Sequence, residues 1–262
     1  MMLLKGKTAV VYGGSGAVGG AVAKAFVREG AVVHLVARGR ERLEAAAAEL
    51  RSQGGEVHVG TADAFDRAAV EAHLKDVVAI SGPVNIVFSA IDWGDAQGND
   101  LIDLDFDRFI MPVERGLKSW FNIGGVYARH MGENGGGTIL GITANAAREA
   151  YNQMGGFGIA CAAVEHYLRH LAVENGPKGV RCCWVRSPGS PDAPGVREAW
   201  LIHAREKGIT FEEMHAEVAK DTPLRRISSL AQVADAVVLL GSDLASSMTA
   251  TLANATGGGQ VD

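Results

Sequence analysis

A doubly wound parallel α/β sheet with helices on both faces is the fold this sequence predicts, and three observations predict it. Strand-like and helix-like stretches alternate from about residue 8 to residue 254. The strand-like stretches, such as VVHLVA and VNIVFSA, are continuous apolar runs rather than polar–apolar alternations. Both faces of each strand must then be covered, as in a parallel sheet between two helical layers. The first run leads into a glycine cluster, VVYGGSGAVGG, and then into a helical pattern.

In order, residues 8–11 read as a buried strand. Gly13, Gly14, Gly16, Gly19 and Gly20 follow, and residues 21–29 carry Val22, Ala25, Phe26 and Val27 at helical spacing. Such a turn lets backbone approach a pyrophosphate, with the helix N-terminus turned towards the phosphates. A Cβ there would block the approach or the unusual φ. Residues 32–37 are the second strand, and Arg38-Gly39-Arg40 ends it. Residues 41–52, rich in Ala, Leu and Glu, are a helix. Residues 56–61 are a strand, 66–79 a helix and 84–90 a fourth strand, followed by a polar loop at 92–100. Residues 106–131 form one long helix or two abutting ones, with Pro112 early. Residues 138–143 are a strand, 144–156 a loop, 157–175 a helix and 180–185 a strand. A less regular excursion with helical pieces at 197–207 and 211–220 follows, then a helix at 230–240 and a last short strand at 250–254.

The chain has 262 residues, 47% of them hydrophobic, enough for a large core. No repeat, linker or charge block divides it, so one domain over 1–262 is expected, with a substrate-covering excursion at about 187–222. The formal net charge of −5 gives no reason to expect nucleic acid or an anionic membrane as partner. Cys161, Cys182 and Cys183 make neither a disulfide framework nor a metal-site spacing, which suits a reducing cytoplasm. The first strand follows MMLLKGK with no signal-peptide h-region, and no run of about 18 uncharged apolar residues occurs, so no leader and no helical membrane span is expected. Ligands of such sheets sit beyond the carboxyl ends of the strands. The loops to watch are therefore 12–19, 37–40, 61–63, 89–94, 143–156 and 186–222.

Over essentially its whole length the chain resembles the classical short-chain dehydrogenase/reductase family, whose sheet is Rossmann-like. YGGSGAVG at 12–19 resembles the family's TGxxx[AG]xG turn, with Tyr12 in the threonine place and Ala17 in the middle glycine place. Ala62-Asp63 resembles the acidic position beside the adenine. FSAI at 88–91 lies over the family's NNAG, heavily altered. Ser187-Pro188-Gly189 resembles the SPG after the sixth strand, and the tail from Thr222 is similar to the family's C-terminus. The resemblance implies a nicotinamide cofactor held by Gly13, Ser15, Gly16, Ala17, Val18, Gly19, Arg38, Asp63, Ser89, Ala90, Pro188 and Gly189. It also implies a homo-oligomer, dimer or tetramer, paired through the helices at 106–131 and 157–175. Ala37 stands where NAD-dependent members carry an acid for the ribose hydroxyls, and Arg38 follows. A guanidinium suits a 2′-phosphate by charge and by its forked donors, so NADP(H) is favoured over NAD(H). The alternative is that Arg38 and Arg40 are ordinary solvated turn residues.

The family's chemistry uses a serine, a tyrosine and a lysine. The resemblance sets Ala144 in the serine place, Phe157 in the tyrosine place and Cys161 in the lysine place, at the family's separations of 13 and four residues. The family's helix asparagine would fall at residues 113–116, where there is none. A phenyl ring has no proton to give, a thiol no fixed positive charge and an alanine no donor for an oxyanion. Tyr151 is the candidate replacement proton donor, although a loop tyrosine also serves as lid or packing. Asn145, Arg148, Asn152 and Gln153 share its loop, and Ser89 and Asp92 end the fourth strand. Cys161 is either a nucleophile or a small inert core residue. His166 and His170 could hold a metal on one helix face, but no third ligand is in view and no metal is expected.

Three functions remain open. One is an NADP-dependent oxidoreductase with a non-standard site, suited to substrates needing little acid help, such as an iminium or an activated alkene. Another is a cofactor-binding protein without turnover. The last is a non-redox enzyme reusing the pocket. Ile91, Trp93, Met154, Phe157, Trp200 and Met214 would make that pocket mostly apolar and point to a hydrophobic small molecule.

Overall fold

The computed structural model describes residues 2–261. Seven parallel strands form one sheet in the order β3-β2-β1-β4-β5-β6-β7. They are β1 (Thr8–Tyr12), β2 (Val32–Ala37), β3 (Val57–Thr61), β4 (Ile86–Ser89), β5 (Gly137–Ala144), β6 (Val180–Ser187) and β7 (Thr251–Asn254). The helices are α1 (Ala17–Arg28), α2 (Arg40–Ser52), α3 (Arg67–Ser81), α4 (Phe106–Glu133), α5 (Phe157–Asn175), α6 (Pro194–Lys207), α7 (Phe211–Asp221) and α8 (Leu230–Gly241).

The apolar runs are explained by two cores, one on each face. Ala9 and Val11 of β1 pack with Phe26, Leu43 and Val237 from α1, α2 and α8. Val10 and Tyr12 point the other way, towards Val70, Ile123 and Val164 from α3, α4 and α5. Successive strand residues face opposite sides, so a doubly covered strand must be apolar at every position. The strand order reverses between β1 and β4, which opens the crevice where ligands of such sheets bind.

One local reading is corrected and one open alternative is decided. α1 begins at Ala17, not at residue 21, and takes Gly19 and Gly20 into its first turn. A Cβ on Gly19 would collide with the Gly13 carbonyl, so glycine here serves close packing and does not break the helix. Residues 106–133 form one helix with Pro112 inside it. Pro112 removes one backbone donor, and burial of the helix face around it retains the helix.

Under the β2–β3 edge lies a column of imidazoles. His34 stacks on His58 with ring centroids 4.7 Å apart, and its Nε2 meets Ser81 Oγ at 2.8 Å. Burial, then the nearby His58 and His73, hold the His34 pKa down to about 4. Burial also lowers that of His73, against the pull of Asp76. The folded state thus keeps His34 neutral where the unfolded chain, with a pKa near the ordinary 6.5, takes up a proton. Stability is full above pH 6.5 and falls as the pH drops from about 6.5 to about 4. The expected loss from His34 is about 3 kcal/mol over that window. Urea titrations at pH 7.5 and 4.5 measure it; a His34→Asn variant should show a flatter dependence, and an equal slope would remove His34 as the cause.

Candidate active site

The crevice is built at the carboxyl ends of β1, β4, β5 and β6. At the first, Gly13 adopts φ +79°, and a Cβ there would collide with the Ala90 carbonyl beyond β4. The Gly13 N–H donates to Val36 O at 2.8 Å and Gly16 N–H to Gly13 O at 2.9 Å, which ties the turn to the end of β2. Gly16 is the N-cap of α1, with no side-chain cap, and the first turn carries no acid. Gly16 and Ala17 are exposed, and Ser15 and Val18 half-buried. The first-turn N–H groups therefore face outward without a side-chain partner, an arrangement that fits a diphosphate.

The other predicted cofactor residues line the same edge. Arg38 is exposed directly after Ala37 and, among the described residues, makes no hydrogen bond or ion pair, whereas Arg40 pairs with Glu44 at 3.3 Å. Asp63 Oδ1 accepts the Phe65 N–H at 2.9 Å, and the Arg115 guanidinium lies 5.0 Å above the Phe65 ring. Arg115 falls within the stretch where the family's asparagine was sought, and sequence reasoning assigned it nothing. Ser89 is buried with its Oγ unpartnered. After β6, Gly189 takes φ +79° and its N–H donates to Ser187 Oγ at 3.3 Å, with Trp200 of α6 close by.

Ala144, Phe157 and Cys161 come together where β5 ends and α5 begins, packed in one apolar cluster with Ile91. Cys161 is fully buried, and burial pushes its thiol up to about 12 against the pull of an Ala144 backbone hydrogen bond. At neutral pH it is a thiol and a poor nucleophile. Tyr151, half-exposed on the loop above, donates from its hydroxyl to Glu149 Oε2 at 2.5 Å and accepts from Asn145 Nδ2 at 2.6 Å. Desolvation, then Glu149, raises its pKa well above the usual tyrosine value, so its proton is held. Trp93 lies against Gly116 of α4, and Trp200 stands beside Phe211 and His215 where α6 meets α7.

Two groups of polar residues here carried no sequence signal. The first lies beneath the site. Glu165, one turn after Cys161, is buried and accepts from Arg186 Nε and Nη2 at 3.0 and 2.6 Å and from Thr143 Oγ1 at 2.8 Å. Arg186 Nη1 donates to Gln260 Oε1 at 2.5 Å, and Gln260 Nε2 to Asn145 O at 3.3 Å. The C-terminal segment is thereby fastened to the loop that carries Tyr151. The second lies above. Gln97 Nε2 donates to Asp95 Oδ2 at 2.6 Å, and Gln97 Oε1 meets His203 Nε2 of α6 at 2.8 Å. His166 and His170 contact each other through Nε2 at 3.2 Å on the exposed face of α5, away from the crevice. Among the described residues no cluster of three His, Cys, Asp or Glu could hold a metal, and no helix is long and apolar enough to cross a membrane.

A family model described as Enoyl-(Acyl carrier protein) reductase matches residues 14–259. An uncharacterized short-chain type dehydrogenase/reductase, y4mP of Sinorhizobium fredii, is 30% identical, with 98% of each chain covered. The 7alpha-hydroxysteroid dehydrogenase of Escherichia coli K12 is 27% identical, over 98% of this chain and 95% of that protein. The crystal structure of a variant of actinorhodin polyketide ketoreductase with NADPH has the same fold, with a TM-score of 0.87 at 24% identity, covering 97% of this chain and 98% of that one. With the glycine turn, the strand order and these matches in agreement, the chain belongs to the short-chain dehydrogenase/reductase family of oxidoreductases.

Proposed function

We propose that this protein is an NADP(H)-binding oxidoreductase with a non-standard active site, acting on a hydrophobic small molecule. Arg38 is the observation that carries the cofactor choice. It stands exposed and without a partner among the described residues, just past Ala37 at the end of β2, where an acid would be needed to prefer the free ribose hydroxyls. The diphosphate fits the uncapped first turn of α1. When bound, the cofactor supplies or accepts a hydride; the chain's own residues hold and orient it and exclude water. An Arg38→Asp variant should lose about 100-fold or more in NADPH affinity and only a few-fold in NADH affinity, because a charge-assisted pair to the 2′-phosphate is replaced by repulsion. Fluorescence titration with both cofactors measures this; equal losses would overturn the NADP assignment.

The reading keeps the whole chain as one cofactor-binding domain in a reducing cytoplasm, with 187–222 as cover. Ala144, Phe157 and Cys161 favour one alternative, a protein that binds cofactor without turnover. The protein should also self-associate, as dimer or tetramer. Phe121, Ile159 and Val173 are exposed apolar side chains on α4 and α5, whose outer faces flank an open groove containing Tyr167 and Leu171. Burying such a stripe against its own copy would remove it from water. Light scattering at micromolar protein should give at least twice 27.4 kDa, and a monomer mass would remove the claim.

A further inference from the structure

Loop 92–98, between β4 and α4, is pinned from two sides. Gly155 is so close to the Ala96 carbonyl that a Cβ could not fit, and the Gly98 N–H donates to Gln153 O at 2.9 Å, so the loop rests on the residues just before Phe157. On the other side, Gly98 touches Ile202, and the His203–Gln97–Asp95 hydrogen bonds of 2.8 and 2.6 Å anchor the loop to α6. Because the Gln97 amide donates to Asp95, its oxygen is the acceptor, and His203 is the donor at Nε2. Asp95 is thus held at the mouth of the crevice, close enough to Cys161 to interact with it electrostatically. Asp92 and Glu149 stand on the two loops flanking the same mouth. Among the described residues, none of the three carboxylates makes an ion pair. The Arg115 guanidinium lies between the Phe65 ring and Gly94 and makes no ion pair with these carboxylates among the described residues. The place where the family carries a lysine holds the buried neutral Cys161.

We propose that the crevice takes an apolar cation, an iminium, as substrate, and that Asp95 is its counter-charge. The proposal rests on the NADP(H) oxidoreductase reading above. Ketone reduction builds negative charge on oxygen and then needs a proton. A site with Ala144, Phe157 and Cys161 supplies neither a donor for that charge nor the proton. Iminium reduction runs the other way. A hydride from NADPH forms the new bond at the iminium carbon, the C=N π pair becomes the nitrogen lone pair, and the products are a neutral amine and NADP⁺. No proton moves and no anion forms. What the substrate needs is a negative group at the mouth, here the exposed Asp95, and apolar walls, here the half-buried Ile91 and Phe157. Desolvation raises the Asp95 pKa, the Gln97 hydrogen bond lowers it, Asp92 adds to the rise and His203 opposes it, the net direction being upward; a cation bound beside the carboxylate would favour its charged form.

The test uses three ligands and the isosteric Asp95→Asn variant. NADPH titration by fluorescence comes first and should be the same for both proteins; if the unmodified protein does not bind NADPH, the parent reading falls and this one with it. N,N-dimethyltetrahydroisoquinolinium, a saturated cation that cannot be reduced, should then bind the NADPH complex by calorimetry, about tenfold or more weaker in Asp95→Asn. N-methyl-3,4-dihydroisoquinolinium should be consumed at 340 nm, with KM raised about tenfold or more in the variant, whereas neutral 2-tetralone should not react. Normal NADPH binding with no binding of the saturated cation, equal binding by both proteins, or 2-tetralone reduced as readily as the iminium would each overturn the proposal and leave the cofactor reading standing.

Discussion

Simple ketones and secondary alcohols should be turned over barely or not at all by this protein, and the triple variant Ala144→Ser, Phe157→Tyr, Cys161→Lys should gain measurable NADPH oxidation with activated ketones. Loss of general acid–base catalysis typically lowers a rate by about 10²–10⁴. Loss of an oxyanion donor lowers it by about 10²–10³ more. The two factors need not multiply, because such residues act as a unit. Geometry favours the rescue. Ala144 and Phe157 already pack at the mouth of the crevice beside Cys161, on a strand end and a helix start that the fold holds rigidly. A lysine at 161 would enter a buried place, but Glu165 lies one turn further along α5 and the Asp95 charge is within electrostatic reach. Turnover of such ketones by the unmodified protein at about 1–10³ per second would be a normal enzymatic rate and would contradict this account. Tyr151→Phe would then decide whether the loop tyrosine is the donor, since only in that case does activity disappear. The hydrogen bond from Tyr151 to Glu149 argues that it does not leave its proton readily.

Glu165→Ala should lower stability by about 3–5 kcal/mol, the usual consequence of leaving one member of a buried ion pair behind. Both side chains are almost fully buried, at 3% and 4% exposure, and the pair is bidentate. Removal of Glu165 also deprives Thr143 Oγ1 of its acceptor and Arg169 of a carboxylate at 3.5 Å. Arg169 retains its place over the Trp184 ring, so the damage should centre on Arg186. Glu165→Leu combined with Arg186→Leu should be less destabilised than Glu165→Ala, because both charges of the pair are then removed together. Urea unfolding of the three proteins measures this. A loss under about 1 kcal/mol in Glu165→Ala would mean that water or another side chain takes the place of the carboxylate. Because Gln260 joins this network to Asn145, the same variant should loosen the loop that carries Tyr151.

How much was legible in the sequence differs from element to element. The bounds of β2 and α5 were read to the residue, because an apolar run and a 3.6-residue stripe each report burial of a single element. The glycine turn was legible for a related reason: a positive φ at Gly13 and the backbone contact at Gly19 leave room for no other residue type. The start of α1 was misread because Gly19 and Gly20 have low helix propensity, and only packing against the Gly13 turn makes them helical.

By itself, then, the sequence determined the alternating apolar elements, the parallel sheet they require and the glycine turn after the first strand. Tertiary structure alone decided which polar groups meet. Arg186 finds Glu165 at a separation of 21 residues and Gln260 at 74, and His203 reaches Gln97 across 106. Hydrophobic periodicity records whether a residue is covered, and it does so within one element. The partner of a buried charge is set by where separate elements pack, and no local pattern in the chain carries that information.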